Sequence, residues 1–232
     1  MKKTFFGLII VFTLLFANTS LALEGDDPAA KTQFMITASH IFWESDDSAD
    51  FSISGYSYAF FYYDLNDDYK AIVPYIGPKI TFVDFSIYIL AVGYADPYAW
   101  YAGPSLWLEY DGPFYGFIQG DYLAAVASTS HEEDIELPQD EYYGYAELSV
   151  PVGNISLGLA YEICGLVEED DLDDIVGEEE EDDEIDDSQP YQSAIGPKIS
   201  FGEHYSLWAF YDFTPNIDDY DYYGVRFIIN IF

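Results

Sequence analysis

Hydrophobic and polar residues alternate with period two along most of this chain. Ile155, Leu157, Leu159, Tyr161 and Ile163 alternate with Ser156, Gly158, Ala160, Glu162 and Cys164. Successive side chains of a strand point to opposite faces, so this run predicts a strand with one greasy face and one small or polar face. The run 205–213 divides the same way, with Tyr205, Leu207, Ala209, Tyr211 and Phe213 opposite Ser206, Trp208, Phe210 and Asp212. Similar runs lie at 34–43, 51–63, 70–82, 86–94 and 114–122. A motif also recurs: Ile-Gly-Pro-Lys-Ile-Thr-Phe at 76–82, Ile-Gly-Pro-Lys-Ile-Ser-Phe at 195–201, and Ala-Gly-Pro-Ser-Leu-Trp-Leu at 102–108. Degenerate copies occupy 145–150 and 224–229. Each internal copy is followed by a short turn and a second alternating run, which makes the repeat a β-hairpin.

The connections fall into two sets. Those at 83–85, 110–113, 152–154 and 202–204 are tight; those at 95–99, 124–141, 166–193 and 214–221 are longer and mostly acidic. Tyr63-Asp64 with Asn66-Asp67-Asp68-Tyr69 resembles Tyr211-Asp212 with Asn216-Ile217-Asp218-Asp219-Tyr220, so both read as outer loops. The fold class expected is all-β: an antiparallel, up-and-down transmembrane barrel. Eleven runs qualify as strands. Bacterial single-chain barrels have even numbers, so ten is expected, starting at 51–63, with twelve as the other even count. The run 34–43 is then left over. Pro within a strand belongs at an edge or bulge, which would place the repeated Gly-Pro at the strand start near the outer rim.

Composition agrees. Half of the 232 residues are hydrophobic and 19% are aromatic. Beyond the N-terminus no segment reaches the roughly 18 unbroken apolar residues of a membrane helix. The formal charge of −36 excludes nucleic acid as a partner and disfavours docking on an anionic membrane surface. The single Cys164 supplies no disulfide framework. Lys2 and Lys3, the apolar run 5–16 and Ser20-Leu21-Ala22 have the layout of a cleaved signal peptide. Residues 1–22 are therefore expected to be removed, leaving 23–232 as one barrel domain.

The chain closes on Tyr-Tyr-Gly-Val-Arg-Phe-Ile-Ile-Asn-Ile-Phe. A last strand ending in Phe resembles the terminal strand of Gram-negative outer-membrane β-barrels. Phe227, Ile229, Ile231 and Phe232 would then form the signal read by the barrel-assembly machinery. Val225, Phe227, Ile229 and Ile231 fall one residue out of phase with Phe232. The resemblance implies localisation in the outer membrane, outer-membrane lipids as surroundings, and extracellular placement of the acidic loops 124–141 and 166–193.

By phase, the inward face holds Lys79, Glu109, Glu147, Glu162, Lys198, Asp212 and Arg226, with Ser105, Ser149, Ser200 and Asn230. Lys79, Glu147, Lys198 and Arg226 occupy the same repeat position, so matching register would hold them at similar heights. They can form an ion-pair core that fills a narrow barrel, or line a water channel. Trp107, Trp208 and Phe210 also face inward and would crowd such a lumen, which favours the filled reading.

The loop 166–193 contains an unbroken acidic run from Glu178 to Glu184. So dense a block repels itself and is expected to be disordered and solvated. Loose capture of divalent cations is the functional alternative, although no Asp-x-Asp-x-Asp-Gly calcium loop is present. His131 beside Glu132, Glu133 and Asp134 is a weak metal candidate. No serine-hydrolase elbow, zinc-protease motif, Walker loop or dinucleotide glycine pattern occurs. Ser39 and His40 are adjacent on a strand, so they point to opposite faces and cannot form a dyad. No catalytic residue, metal site or cofactor is implied. The expected function is a non-enzymatic outer-membrane barrel with a structural or surface-interaction role. A passive cation-preferring pore is the alternative, and an outer-membrane hydrolase a remote one.

Overall fold

The computed structural model describes residues 31–45, 51–65, 70–95, 99–128, 139–167, 190–213 and 222–231. The expected leader at 1–22, the acidic run 178–184, the His131 segment and Phe232 lie outside them. The described residues form eleven strands: β1 (Lys31–Glu44), β2 (Phe51–Asp64), β3 (Lys70–Phe82), β4 (Phe85–Ala95), β5 (Ala99–Asp111), β6 (Tyr115–Ser128), β7 (Glu141–Val152), β8 (Ile155–Leu166), β9 (Pro190–Phe201), β10 (Tyr205–Asp212) and β11 (Tyr222–Ile231). They close into a barrel in chain order, each antiparallel to the next, with β1 parallel to β11.

The expected count of ten or twelve is therefore corrected to eleven. The run 34–43 is not left over: extended to Lys31–Glu44, it closes the ring. Directions alternate along an up-and-down chain. An odd count therefore leaves the first and last strands running the same way, and their seam must be parallel. Register pairs run from Lys31↔Gly224 to Ala38↔Ile231. Side chains reinforce this seam, which matters because parallel pairing is slightly weaker per residue. Thr37 Oγ1 donates to Asn230 Oδ1 at 2.6 Å. Phe34 and Phe227 stack with centroids 5.3 Å apart.

Tight turns gather at one rim. Gly153 and Gly202 adopt φ of 66° and 62°, which glycine tolerates without cost; Val83 holds φ 48° despite its branched side chain. The connections at the other rim are shorter than expected. β6 continues through Leu123-Ala124-Ala125-Val126-Ala127 to Ser128, and β9 begins at Pro190, so 124–128 and 190–193 belong to the wall. Alternation hides the first of these extensions, because a register shift between Trp100 and Tyr101 displaces the phase where β5 meets β6. Asp64 is likewise no loop residue: it ends β2 and is buried.

The Gly-Pro repeat marks something other than a strand start. Gly77-Pro78, Gly103-Pro104 and Gly196-Pro197 lie inside β3, β5 and β9. Each coincides with a gap in the ladder to the next strand: between Ile76 and Lys79 against β4, between Ala102 and Ser105 against β6, and between Ile195 and Lys198 against β10. Proline removes the donor there. Glycine permits close approach, since a Cβ at Gly77, Gly103 or Gly196 would collide with the backbone at Ile89, Tyr122 or Ala209. The Gly196 carbonyl is not orphaned, for Trp208 Nε1 donates to it at 3.1 Å. The wall is thus pinched at recurrent points, and at β9 an inward indole takes over from a ladder bond.

A Cβ at Gly120, by contrast, meets nothing within 4 Å. Gly103→Ala and Gly196→Ala are expected to lower unfolding free energy by about 1–3 kcal/mol, as over-packing against rigid backbone does, while Gly120→Ala stays near zero. Urea unfolding of the refolded variants measures this; equal effects at all three positions would contradict the pinch.

Candidate functional site

Alternation turns one face of every strand into the lumen, and the chemistry of the chain collects there. In β8, β10 and β11 the inward residues include Glu162, Trp208, Phe210, Asp212 and Arg226, all buried. The register carries Lys198 of β9 to Trp208 of β10, Trp208 to Arg226 of β11, and Arg226 to Gln33 of β1. A single cross-strand row therefore places Lys198 and Arg226 on either side of an indole. Lys79 lies in a different row, which passes through Tyr88, Trp107, Gln119 and Tyr145 to Glu162. Equivalence in the repeat does not put all four expected residues in one row.

Lys79, Lys198 and Arg226 each meet a carboxylate. Arg226 binds Glu162 in a two-pronged pair, Nη1 to Oε2 at 2.6 Å and Nη2 to Oε1 at 2.8 Å. Its Nε donates to Gln33 Oε1 at 2.9 Å, and the guanidinium lies 4.8 Å from the centre of the Trp208 ring. Tyr143 donates to Glu162 Oε2 at 2.9 Å. Lys198 Nζ reaches Glu147 Oε2 at 2.5 Å and Tyr145 Oη at 3.1 Å. Lys79 and Glu109 are 3.7 Å apart in the most open pair, with Lys79 over the Tyr88 ring and the Tyr88 hydroxyl donating to Glu109. Asp212 accepts from Gln192 Nε2 at 2.6 Å.

Aromatic side chains fill the opposite half. Trp107 is the hub, with the rings of Tyr75, Tyr58, Tyr88 and Phe117 centred 4.8, 5.3, 5.4 and 5.6 Å away. The described residues enclose two lumen chambers. One, of about 410 Å³, is lined by residues next to the longer connections, among them Asp64, Ala71, Leu123 and Gln192. The other, of about 230 Å³, lies toward the tight turns and is lined by Glu109, Tyr115, Ser206 and Asn230. Both are walled by Phe60, Tyr143 and Arg226, so the Arg226–Glu162 cluster stands between them.

Asp121 also belongs to this lumen, on the face of β6 opposite the exposed Ile118 and Tyr122. It is buried and accepts from Ser105 Oγ at 2.5 Å, Tyr75 Oη at 2.8 Å and Gln119 Nε2 at 2.8 Å. Gln33 and Asp64 also join it, bonded to each other at 3.2 Å. Phe227 lies in the seam against Phe34, Ile229 is half-buried beside it, and Ile231 is exposed on the outer wall. His40 is exposed on the outer wall, whereas Ser39 is half-buried. Among the described residues no group of three or more His, Cys, Asp or Glu could hold a metal.

Comparison of the chain with protein-family models, curated proteins and solved structures returns no match.

Removing one partner of a buried pair strands the other charge. Arg226→Met is expected to destabilise the barrel by about 3–5 kcal/mol, and Arg226→Met with Glu162→Leu to recover much of that loss. Denaturant midpoints of the single and double variants decide it; a double variant no better than the single would contradict the pairing argument.

Proposed function

We propose that this chain is an integral outer-membrane β-barrel with a side-chain-filled lumen, acting in a structural or surface-interaction role rather than as an enzyme. The observation that carries this reading is the inverted distribution of polarity across the wall. On β5, Trp100, Leu106 and Leu108 are exposed while Ser105 and Trp107 are buried. On β7 and β8, Leu148, Val150, Leu157 and Leu159 are exposed while Ser149 and Glu162 are buried. On β3, Ile72 and Ile76 are likewise exposed, while the inward residues Val73 and Tyr75 are buried in the aromatic half of the lumen. Water would not tolerate so continuous an apolar surface; exposed patches of this extent mark membrane or partner contacts. Lipid suits it, because a closed sheet leaves no unpaired edge in hydrocarbon.

The rims support the same reading. Phe85, Tyr110 and Phe114 form a chain of rings at the tight-turn end, with successive centroids 4.7 Å apart. Trp100, Tyr122 and Tyr223 are exposed toward the other end. Amphipathic rings at both ends of an apolar band are the pattern of interfacial girdles. The expected leader and the terminal-strand resemblance supply the compartment.

A cation-preferring pore is the second reading, favoured by the two chambers that share walls at Phe60, Tyr143 and Arg226. Planar-bilayer recording separates the two. The filled lumen predicts no steady conductance from correctly folded, heat-modifiable protein. Steady cation-selective openings, absent from unfolded chain, would replace the filled barrel by the pore.

A further inference from the structure

We propose that the larger chamber is a binding site for a small organic cation of the alkylammonium class, with Asp121 as its counter-charge. The chamber's volume of about 410 Å³ falls in the range of small-molecule pockets, about 300–1,000 Å³. Its wall carries the rings of Phe60, Tyr62, Tyr75, Tyr94 and Tyr143. Such faces attract cations, and this wall already holds one: the Arg226 guanidinium lies 5.3 Å from the Tyr62 ring centre.

Charge selects the ligand. The cations lining the chamber are Lys31 and Arg226, the carboxylates Asp64, Asp121, Glu141 and Glu162, and Arg226 is committed to Glu162. Asp121 lines the chamber, is only 6% exposed, and is held by the neutral donors Ser105, Tyr75 and Gln119. Carboxylates outnumber cations on this chamber wall, so a further positive charge is left to come from a guest. A divalent metal is a poor candidate, since calcium or magnesium takes six or more oxygen ligands and no group of three or more His, Cys, Asp or Glu that could hold a metal occurs among the described residues. A bulky monovalent cation needs one carboxylate and several ring faces, which is what this wall provides. The formal charge of −36 raises the local concentration of any cation near the mouth. The inference rests on the closed barrel alone and not on its membrane location, so failure of one leaves the other standing.

The test is calorimetric titration of the refolded mature protein with choline and with its neutral carbon isostere, 3,3-dimethylbutan-1-ol. Saturable one-to-one binding of choline, and none of the isostere, is expected. Asp121→Asn should weaken choline binding by at least about tenfold, the scale of a lost desolvated charge contact. Ala71→Phe, which narrows the chamber and leaves Asp121 intact, should weaken it. Equal binding of the isostere, unchanged affinity in either folded variant, or no saturable choline binding by the folded wild type would overturn the proposal. Should neither variant fold, the comparison of choline with its isostere decides alone.

Discussion

Neutralising charge inside the wall is the constraint on which this barrel depends. The outer face is largely apolar, so the polar residues of each strand must be satisfied in a narrow interior. Desolvating a charge is costly unless geometry and hydrogen bonding compensate for it. The lumen meets this demand by pairing Lys79, Lys198 and Arg226 with carboxylates and bracing the pairs with neutral groups. Arg226 shows it most fully: a two-pronged contact to Glu162, a hydrogen bond to Gln33, and an indole face beneath the guanidinium. The residues involved come from β1, β8, β10 and β11, so the pair also holds together strands far apart in the chain.

Closure follows from the same economy. An open sheet would leave two edges of unpaired backbone groups, and the eleventh strand removes both. The parallel seam between β1 and β11 costs some ladder strength, which side chains from both faces offset. Gln33 and Thr37 tie β1 to β11 from within, and Phe34 stacks on Phe227. A second consequence is that β1 starts at the rim of the longer connections, whereas β11 ends at the rim of the tight turns. The Gly-Pro pinches of β3, β5 and β9 sacrifice ladder bonds where the wall comes close. At β9 a side-chain donor inside replaces one of them.

Much of the fold was legible because alternation is a local property. The faces of β8 and β10 can be read directly from Ile155–Cys164 and Tyr205–Asp212, and the same phase turns Glu162, Lys198, Asp212 and Arg226 inward. Their pairing was not legible, because it depends on register across several strands and joins residues 64 apart in the case of Glu162 and Arg226. Gln33 escaped because it stands one residue before the run that begins at Phe34. Asp64 escaped because an acidic residue beside Asn66-Asp67-Asp68 has the composition of a loop. The Gly-Pro repeat announces a missing donor and a close approach, but where along the strand they fall is set by the neighbouring strand. The strand number was misjudged for a different reason: evenness presumes an antiparallel seam, and nothing local in 34–43 says which neighbour it will find.

An apolar outer wall in lipid and a closed lumen would give the tryptophans on the two faces different surroundings. Trp100 is 59% exposed on the outer wall, whereas Trp208 is fully buried in the lumen. Single-tryptophan variants retaining one or the other, refolded into bilayers containing brominated lipid, would report the contact of each by fluorescence quenching. The account predicts strong quenching of Trp100 and little of Trp208. Equal quenching of both, or none of Trp100 in protein that has folded, would contradict it.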